Sequence, residues 1–296
     1  MSNIPYGGFG VKPPKKDLRD YTFDYPVAGS TYEETGIPDS YELLNLPAVK
    51  DQGNVNSCVA HVAASIEEYF NIRDSQEHMS PRLSCGYIYG CRYNYRGEGM
   101  YLRDALKTLK NRGICDYREF PYDDEEVPTV IDCFEKKASF VTDKNNTISS
   151  YFNISTSSKN MQNNIKKAIL SYGPVMASIK YYDDMWVNDS NGKMRSYYAS
   201  LPERKDNYEC HCVMIYGWNE DGWLIRNSWG KEWGKDGNAI YPYEYDIVEA
   251  WGISDFLYCA TDDTCIKKKN YNKFESNLIK ILNFIINLLE KIKGEV

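Results

Sequence analysis

The sequence has no excess of basic residues, only 3 histidines, and no long apolar run near its N-terminus. Lysine and arginine total 35 against 42 aspartates and glutamates, which gives a formal net charge of -7 at pH 7. Nucleic acid is therefore not expected as a partner, because phosphate binding needs clustered basic residues. The N-terminal residues include glycine, proline and lysine where a secretory signal would have apolar side chains, so no signal peptide is predicted. An intracellular, a virion-associated and a lysosome-like compartment all stay open.

The composition otherwise fits a globular protein that can bury one large core or two packed lobes. The chain has 296 residues, of which 42% are hydrophobic and 26% are charged. The 9 cysteines are many for a chain of this length. The sequence does not determine how they pair, and without a signal peptide free thiols are also compatible with it.

Apolar periodicity divides the chain into an arm, a body and a tail. Residues 1–36 are rich in glycine and proline and predict an extended arm. Within the body, residues 37–265, helical spacing is commoner in 37–150 and short β-rich runs are commoner in 151–265. A helical half followed by a β half predicts an α+β fold with two lobes and a cleft between them.

The tail, residues 266–296, predicts an amphipathic C-terminal helix with a wide apolar face. Polar residues interrupt it too often for a transmembrane helix, which needs ~20 mostly apolar residues. Three roles stay open for this helix: packing against the body, self-association or partner binding, and lying on a membrane surface.

Four residues far apart in the sequence have the side chains that a thiol-dependent reaction centre requires. Cys58 begins a predicted helix, His211 lies between two cysteines, and Asn227 opens the stretch Asn-Ser-Trp-Gly. A thiol nucleophile needs a base that takes its proton and a side-chain carbonyl that holds the imidazole in one tautomer. Gln52, six residues before the cysteine, supplies an amide N–H for a developing oxyanion. The helix N-terminus is expected to lower the pKa of the Cys58 thiol.

On these residues, the chain resembles the papain-like cysteine peptidases, cathepsin B and its relatives included, from about Ile37 to about Tyr258. The resemblance is carried by Gln-Gly-x-x-x-Ser-Cys at 52–58 and by Asn-Ser-Trp-Gly-x-x-Trp-Gly-x-x-Gly at 227–237. The sixteen residues from His211 to Asn227 match the family spacing. The resemblance implies an α+β, papain-like two-lobe fold with a helical lobe, an antiparallel β-barrel-like lobe and the active-site cleft between them.

The resemblance implies a catalytic role for each of the four residues. Cys58 is the nucleophile, His211 is its proton partner, and Asn227 orients His211. Gln52 and the Cys58 backbone N–H form the oxyanion hole. Trp229 covers the histidine–asparagine pair from water, which keeps their hydrogen bond strong.

The same resemblance implies a set of substrate-binding positions: Gly99, Met100, Ser178, Cys212, Trp229 and Ser254. Gly99 lies where the family pairs the substrate backbone with the cleft wall, and Met100 replaces a glycine of many relatives and narrows the cleft. Ser178 and Cys212 line the main specificity pocket. Either Ser254 or Asp255 lies near the floor of that pocket.

The activity implied is that of a cysteine endopeptidase acting on peptide or protein substrates through a thioester acyl-enzyme. The dipeptidyl carboxypeptidase activity of cathepsin B is not expected, because His61 and His78, the only other histidines, form no pair. Residues 1–36 are expected to lie in the cleft as an inhibitory prosegment shorter than that of most relatives, which implies an autoinhibited zymogen. Two alternatives stay open: a transpeptidase or deconjugating enzyme on the same fold, and a catalytically idle binding protein.

No metal or cofactor is expected, although Cys210 and Cys212 flank His211. Adjacent residues of a strand point to opposite faces, so the three side chains cannot chelate one ion together. His61 lies three residues after Cys58 and is interpreted as a packing histidine rather than a second base.

Overall fold

The computed structural model describes residues 10–14, 20, 36–75, 80–92, 97–122, 146–181 and 208–255. Residues Met1–Ser254 form one compact unit, and Asp255–Val296 form a second. The helix predicted for 266–296 and the side chain of His78 lie outside the described residues, and the domain boundaries at 36 and 265 stay predictions. None of the described helices is long and apolar enough to cross a membrane.

The described residues contain four helices: α1 (Cys58–Ser75), α2 (Cys85–Gly90), α3 (Leu102–Asn111) and α4 (Met161–Tyr172). Residues 58–70 of α1 are all buried, as expected for a helix with small or apolar residues on most sides. α3 is amphipathic and buries three leucines on one face. α2 begins after Ser84, whose side chain accepts the Tyr87 backbone N–H at 2.9 Å as an N-cap.

In the same part of the chain, seven strands form one antiparallel sheet: β1 (Tyr41–Glu42), β2 (Ser150–Ile154), β3 (Val175–Tyr181), β4 (Glu209–Trp218), β5 (Gly222–Arg226), β6 (Asn238–Pro242) and β7 (Ile247–Ser254). The strand order is β2-β7-β3-β4-β5-β6, and β1 pairs with β4. Over the described residues the path is open, because its end strands, β2 and β6, do not pair with each other. The predicted α+β class is confirmed, and the lobe predicted as barrel-like has an open sheet.

The packing of α1 against the sheet brings the predicted reaction centre together. α1 packs against α2, α3 and β4. β4 and β5 are antiparallel, with Met214 opposite Arg226, so the beginning of β4 and the end of β5 lie at the same edge. His211 is near the beginning of β4 and Asn227 directly follows β5. The spacing of these two residues in the sequence is therefore the length of one hairpin.

Candidate active site

The side chains of His211 and Asn227 form a buried hydrogen bond. His211 Nε2 lies 2.6 Å from Asn227 Oδ1, and the histidine is fully buried. The same oxygen accepts the Ser228 backbone N–H at 2.7 Å, which supports the orientation of the amide. Because an amide oxygen only accepts, the proton of the neutral imidazole lies on Nε2 and the lone pair on Nδ1. The basic atom of the ring is therefore Nδ1.

Aromatic rings pack around this hydrogen bond. The centroid of the Trp229 ring lies 4.4 Å from that of His211, and Tyr181 packs edge-on against Trp229 at 5.0 Å. Both aromatic side chains are buried. Burial lowers the pKa of His211 to about 4, although the hydrogen bond with Asn227 acts in the opposite direction. The imidazole is therefore neutral near neutral pH.

The predicted nucleophile, Cys58, is the first residue of α1 and a fully buried free thiol. Burial raises the pKa of this thiol to about 11, whereas backbone N–H groups, first those of Cys212 and Gly10, lower it. The sequence predicted a lowered pKa from the helix N-terminus. That prediction is wrong for this structure, because the loss of water outweighs the helix dipole. Because Cys212 directly follows His211, its N–H contact with the thiol brings Cys58 close to the beginning of β4.

Residues 10–12 of the N-terminal arm pair with the wall of the site. The Met100 backbone N–H donates to Gly10 O at 2.7 Å, and the Lys12 N–H donates to Met100 O at 3.0 Å. Val11 and Met100 form the corresponding parallel bridge. The arm therefore uses the main-chain groups of Met100, one of the predicted substrate-binding residues.

Two glycines allow this close approach of the arm. Gly99 has a φ of 73°, and a Cβ on it would lie 2.7 Å from Gly10 O. A Cβ on Gly10 would lie only 2.2 Å from Asn56 O, two residues before Cys58. Both distances are too short for a real Cβ atom. The backbones can therefore come this close only because Gly10 and Gly99 have no side chain. The arm consequently contributes to the burial of the thiol.

Gln52, the predicted oxyanion donor, is tied to the loop that follows Asn227. Its backbone N–H donates to Ser228 O at 2.9 Å, and its side-chain Oε1 accepts from Ser228 Oγ at 2.7 Å. Its Nε2 donates to Val55 O at 2.8 Å. The Gln52 side chain is fully buried. The loop with the predicted oxyanion donor and the loop with Asn227 therefore hold each other in position.

The predicted pocket residues Ser178 and Cys212 are opposite each other on β3 and β4, and both are fully buried. On its other side Ser178 pairs with Glu249 of β7. Residues opposite one another on neighbouring strands share a face of the sheet, so Glu249 lies in one row with Ser178 and Cys212. Ser254 instead pairs with Ser150 of β2 and lies outside this row.

Glu249 is a candidate site residue that was not predicted from the sequence. It is 6% exposed, its Oε1 accepts from Trp251 Nε1 at 2.7 Å, and burial raises the pKa of its carboxyl group. Its charge acts on the pKa of Cys212. Arg103 of α3 and Asp20 of the arm form an ion pair with each other. The charge of Arg103 lowers the pKa of Glu249, and that of Asp20 raises it. The sequence did contain a signal for Glu249, because it is the one acidic residue in the otherwise apolar run of β7. A charge in such a run is expected to be buried and to need a partner.

The geometry has a counterpart in known proteins. A sequence profile described as papain family cysteine protease matches residues 38–261, which include all four predicted catalytic residues. The chain belongs to the papain family of cysteine proteases. The predicted fold and the predicted class of enzyme, a papain-like peptidase, are thereby confirmed.

Two curated relatives illustrate the range of the papain family match. An uncharacterized peptidase C1-like protein of Acanthamoeba polyphaga mimivirus is 26% identical over 303 residues, which cover 93% of either chain. A cysteine protease of Blomia tropicalis is 27% identical over 235 residues, which cover 75% of this chain and 65% of the relative.

Solved papain-family structures share the fold. Xylellain, a cysteine protease from Xylella fastidiosa, superposes with a TM-score of 0.63 at 25% identity, covering 83% of this chain and 96% of its own. Procathepsin L 3 of the Tenebrio molitor larval midgut has a TM-score of 0.55 at 19% identity, covering 76% and 72%. Relatives of the cathepsin L type are among the matches, so the cathepsin B-like subtype stays a prediction.

Proposed function

We propose that this papain-family protease is an endopeptidase that cleaves peptide bonds through a thioester on Cys58 and is made as an autoinhibited zymogen. One observation carries the catalytic part. His211 directs its Nε2 proton to Asn227, which leaves Nδ1 as the base, while the Cys58 thiol accepts the N–H of the residue next to His211. A nucleophile at the start of α1 and a proton acceptor on β4 are thus both at the beginning of β4, which supports the proposal.

The reaction follows from this arrangement. His211 Nδ1 takes the thiol proton, and Cys58 Sγ forms a bond to the carbonyl carbon of the peptide, whose π electrons move to the oxygen. Gln52 Nε2 and the Cys58 N–H hold that oxyanion. The C–N bond then breaks as the imidazolium gives its proton to the leaving amine. Water, deprotonated by the same nitrogen, hydrolyses the thioester to a carboxylic acid and the free thiol.

The zymogen part rests on the contacts of the arm. Residues 10–12 occupy the main-chain groups of Met100, and Gly10 contacts the thiol through its N–H. With a thiol pKa of about 11 and an imidazole pKa of about 4, neither group is charged near neutral pH. Three of the structures with the same fold are proforms of cysteine proteases: procathepsin L 3, Amb a 11 and procathepsin B S9 from Trypanosoma congolense. The arm must leave before a substrate can reach the thiol.

Protein substrates incubated with the wild-type chain and with Cys58→Ala test the catalytic proposal, with the cleavage products identified by mass spectrometry. We expect internal cleavage by the wild type alone and covalent labelling of Cys58 by a vinyl sulfone. Cleavage by Cys58→Ala would refute the assignment of the nucleophile. Products joined to an added amine acceptor, in place of free acids, would indicate a transpeptidase.

A variant that lacks residues 1–36 tests the zymogen proposal separately. Its rate on a small peptide substrate is expected to exceed that of the full chain, because Met100 and the thiol become accessible. Equal rates for the two proteins would reject inhibition by the arm without affecting the assignment of Cys58.

A further inference from the structure

A buried chain of hydrogen bonds ends at the backbone oxygen of Gln52, and its other members have no part in the reaction described above. It consists of His61, Ser57, Tyr122 and Gln52. Ser57 and Gln52 are fully buried, His61 is 1% exposed and Tyr122 is 9% exposed. His61 and Tyr122 also contact each other edge to face, with ring centroids 4.6 Å apart. The four residues come from α1, the loop before it and the segment after α3.

The direction of every hydrogen bond in this chain can be assigned. Tyr122 Oη donates to the Gln52 backbone oxygen at 2.7 Å, because that oxygen only accepts. The hydroxyl has one hydrogen, so at 2.8 Å it accepts from Ser57 Oγ. The alternative acceptor for the serine, Val55 O, is farther away at 3.5 Å.

His61 completes the chain by fixing the serine hydroxyl. Its Nδ1 lies 3.1 Å from Ser57 O and 3.3 Å from Ser57 Oγ. Within the described part of the chain, Nε2 has no hydrogen-bond partner, so the ring proton has its acceptors on the Nδ1 side. Nδ1–H therefore donates to Ser57, with the backbone oxygen as the nearer acceptor and Oγ as the farther one, which leaves the Oγ–H for Tyr122. The bonds run in one direction, from His61 to Gln52, and polarise one another.

We propose that this chain sets the position of the oxyanion donor, so that Tyr122 and His61 are positioning residues for peptide hydrolysis. The inference rests on the proposed function, in which Gln52 stabilises the oxyanion. Tyr122 holds the backbone of Gln52, and the Ser228 contacts hold its side chain. Oxyanion stabilisation depends on donors held at the site where charge develops, so a small displacement of Gln52 reduces the rate.

Tyr122→Phe in the full chain, brought to activity by the same treatment as the wild type, removes the donor and keeps the ring. Loss of an oxyanion donor costs about 10² to 10³ in kcat, and we expect about 10-fold for a displaced one, with KM unchanged. Alkylation of Cys58 by iodoacetamide forms no oxyanion, so its rate is expected to stay within about 2-fold of wild type. A double-mutant cycle with Gln52→Ala provides the decisive readout, because the Tyr122→Phe effect should disappear in that background.

Two variants separate positioning from a loss of packing. Tyr241→Phe is the matched control, since the single hydrogen of its buried hydroxyl is also directed to backbone oxygen, shared between Asp246 O at 3.0 Å and Lys180 O at 3.1 Å. Its kcat is expected to match wild type. His61→Asn retains a donor near Nδ1 and should keep most of the activity, whereas His61→Leu removes it and should fall with Tyr122→Phe. This pair also tests the inference if Tyr122→Phe does not fold.

Three outcomes would overturn the inference: unchanged hydrolysis in Tyr122→Phe and His61→Leu, an equal loss in the Gln52→Ala background, or a parallel loss of alkylation. The proposed function has its own criterion in the same experiment. If Gln52→Ala alone hydrolyses peptides at the wild-type rate, the oxyanion assignment is wrong.

Discussion

The structure predicts by how much the alkylation rate of Cys58 increases when one added methyl group, in Gly10→Ala, displaces the arm. A Cβ on Gly10 would lie 2.2 Å from the backbone oxygen of Asn56, so Gly10→Ala cannot keep the arm in its present position. Asn56 is two residues from Cys58, and its backbone is held by the turn before α1. We expect the arm to leave rather than this turn to move, which exposes the thiol to water at the N-terminus of a helix.

The size of the effect follows from the pKa of the thiol. Burial raises the pKa of Cys58 to about 11, so the thiolate fraction at pH 7 is about 10⁻⁴. At an ordinary pKa of about 8.5 that fraction is about 0.03, a rise of roughly 300-fold. Intrinsic nucleophilicity falls with pKa, with a Brønsted slope of about 0.4 to 0.5, which removes a factor of about 10 to 20. Alkylation is therefore expected to accelerate by about 20-fold, and by more if the helix dipole lowers the pKa further.

The assay is the rate of Cys58 alkylation by iodoacetamide across a pH series in wild type, Gly10→Ala and Gly36→Ala. Gly36→Ala is the matched control, because a Cβ there has nothing within 4 Å. Limited proteolysis of the arm reports its release independently. Gly10→Ala is expected to show a faster rate, a midpoint shifted to lower pH and a protease-sensitive arm. An arm that is released with no change in rate or midpoint would refute the argument that the arm raises the thiol pKa.

Three further predictions concern the base, the pocket and the pH range. Asn227→Ala is expected to lower kcat by about 10² to 10⁴-fold at similar KM, because the imidazole loses the acceptor that selects its tautomer. Glu249 lies in the row of the predicted pocket residues, where a carboxylate is expected to favour a basic substrate side chain. Glu249→Gln is therefore expected to lower the rate ratio of arginine over leucine peptides by about 10-fold, measured on matched peptide pairs that differ at the pocket residue. Burial lowers the pKa of His61 and of His211 to about 4, whereas an unfolded histidine titrates near about 6.5. The free energy of unfolding in urea should therefore fall by about 3 kcal/mol per histidine as the pH drops from about 6.5 to about 4.

Each of these predictions has a control in the same chain. Asn160→Ala and Glu244→Gln change exposed residues and should leave kcat and the peptide ratio unchanged. The arginine preference should also fade as the pH falls, because burial raises the pKa of Glu249 and the carboxylate is neutralised earlier. His61→Asn should halve the pH-dependent loss of stability. Wild-type behaviour in Asn227→Ala or Glu249→Gln, or a flat stability profile, would contradict the corresponding assignment.

Local patterns were enough to predict the fold class and the main elements. Helical spacing predicted that a helix begins at Cys58, as α1 does, and the β-rich runs predicted for 151–265 include β3, β4 and β5. Because His211 and Asn227 lie at the two ends of the β4–β5 hairpin, their spacing in the sequence was enough to predict that they are close in space. These features depend on neighbours in the sequence or on one short hairpin. The catalytic roles stay predictions until the variants are measured.

Contacts between residues distant in sequence could not be predicted, and they decide which side chains line the site and which hydrogen bonds form there. The sequence placed Ser254 or Asp255 near the floor of the pocket, which stays a prediction, and it did not identify Glu249, which the register of β7 puts in the row of Ser178 and Cys212. A strand's register depends on its partner strands and is not a local property. The interpretation of His61 as a packing histidine fits its burial and its contacts with Ser57, but the link from Ser57 to Tyr122 could not be predicted, because Tyr122 is distant in sequence.

The sequence by itself determined which groups this protein has for its chemistry and the order in which they follow one another. Only the tertiary structure decided their protonation, since burial by remote segments reversed the pKa shift that the helix N-terminus predicted for Cys58. The physical reason is that solvation depends on everything that surrounds a group. Helix and strand periodicity, in contrast, depend on the nearest few residues.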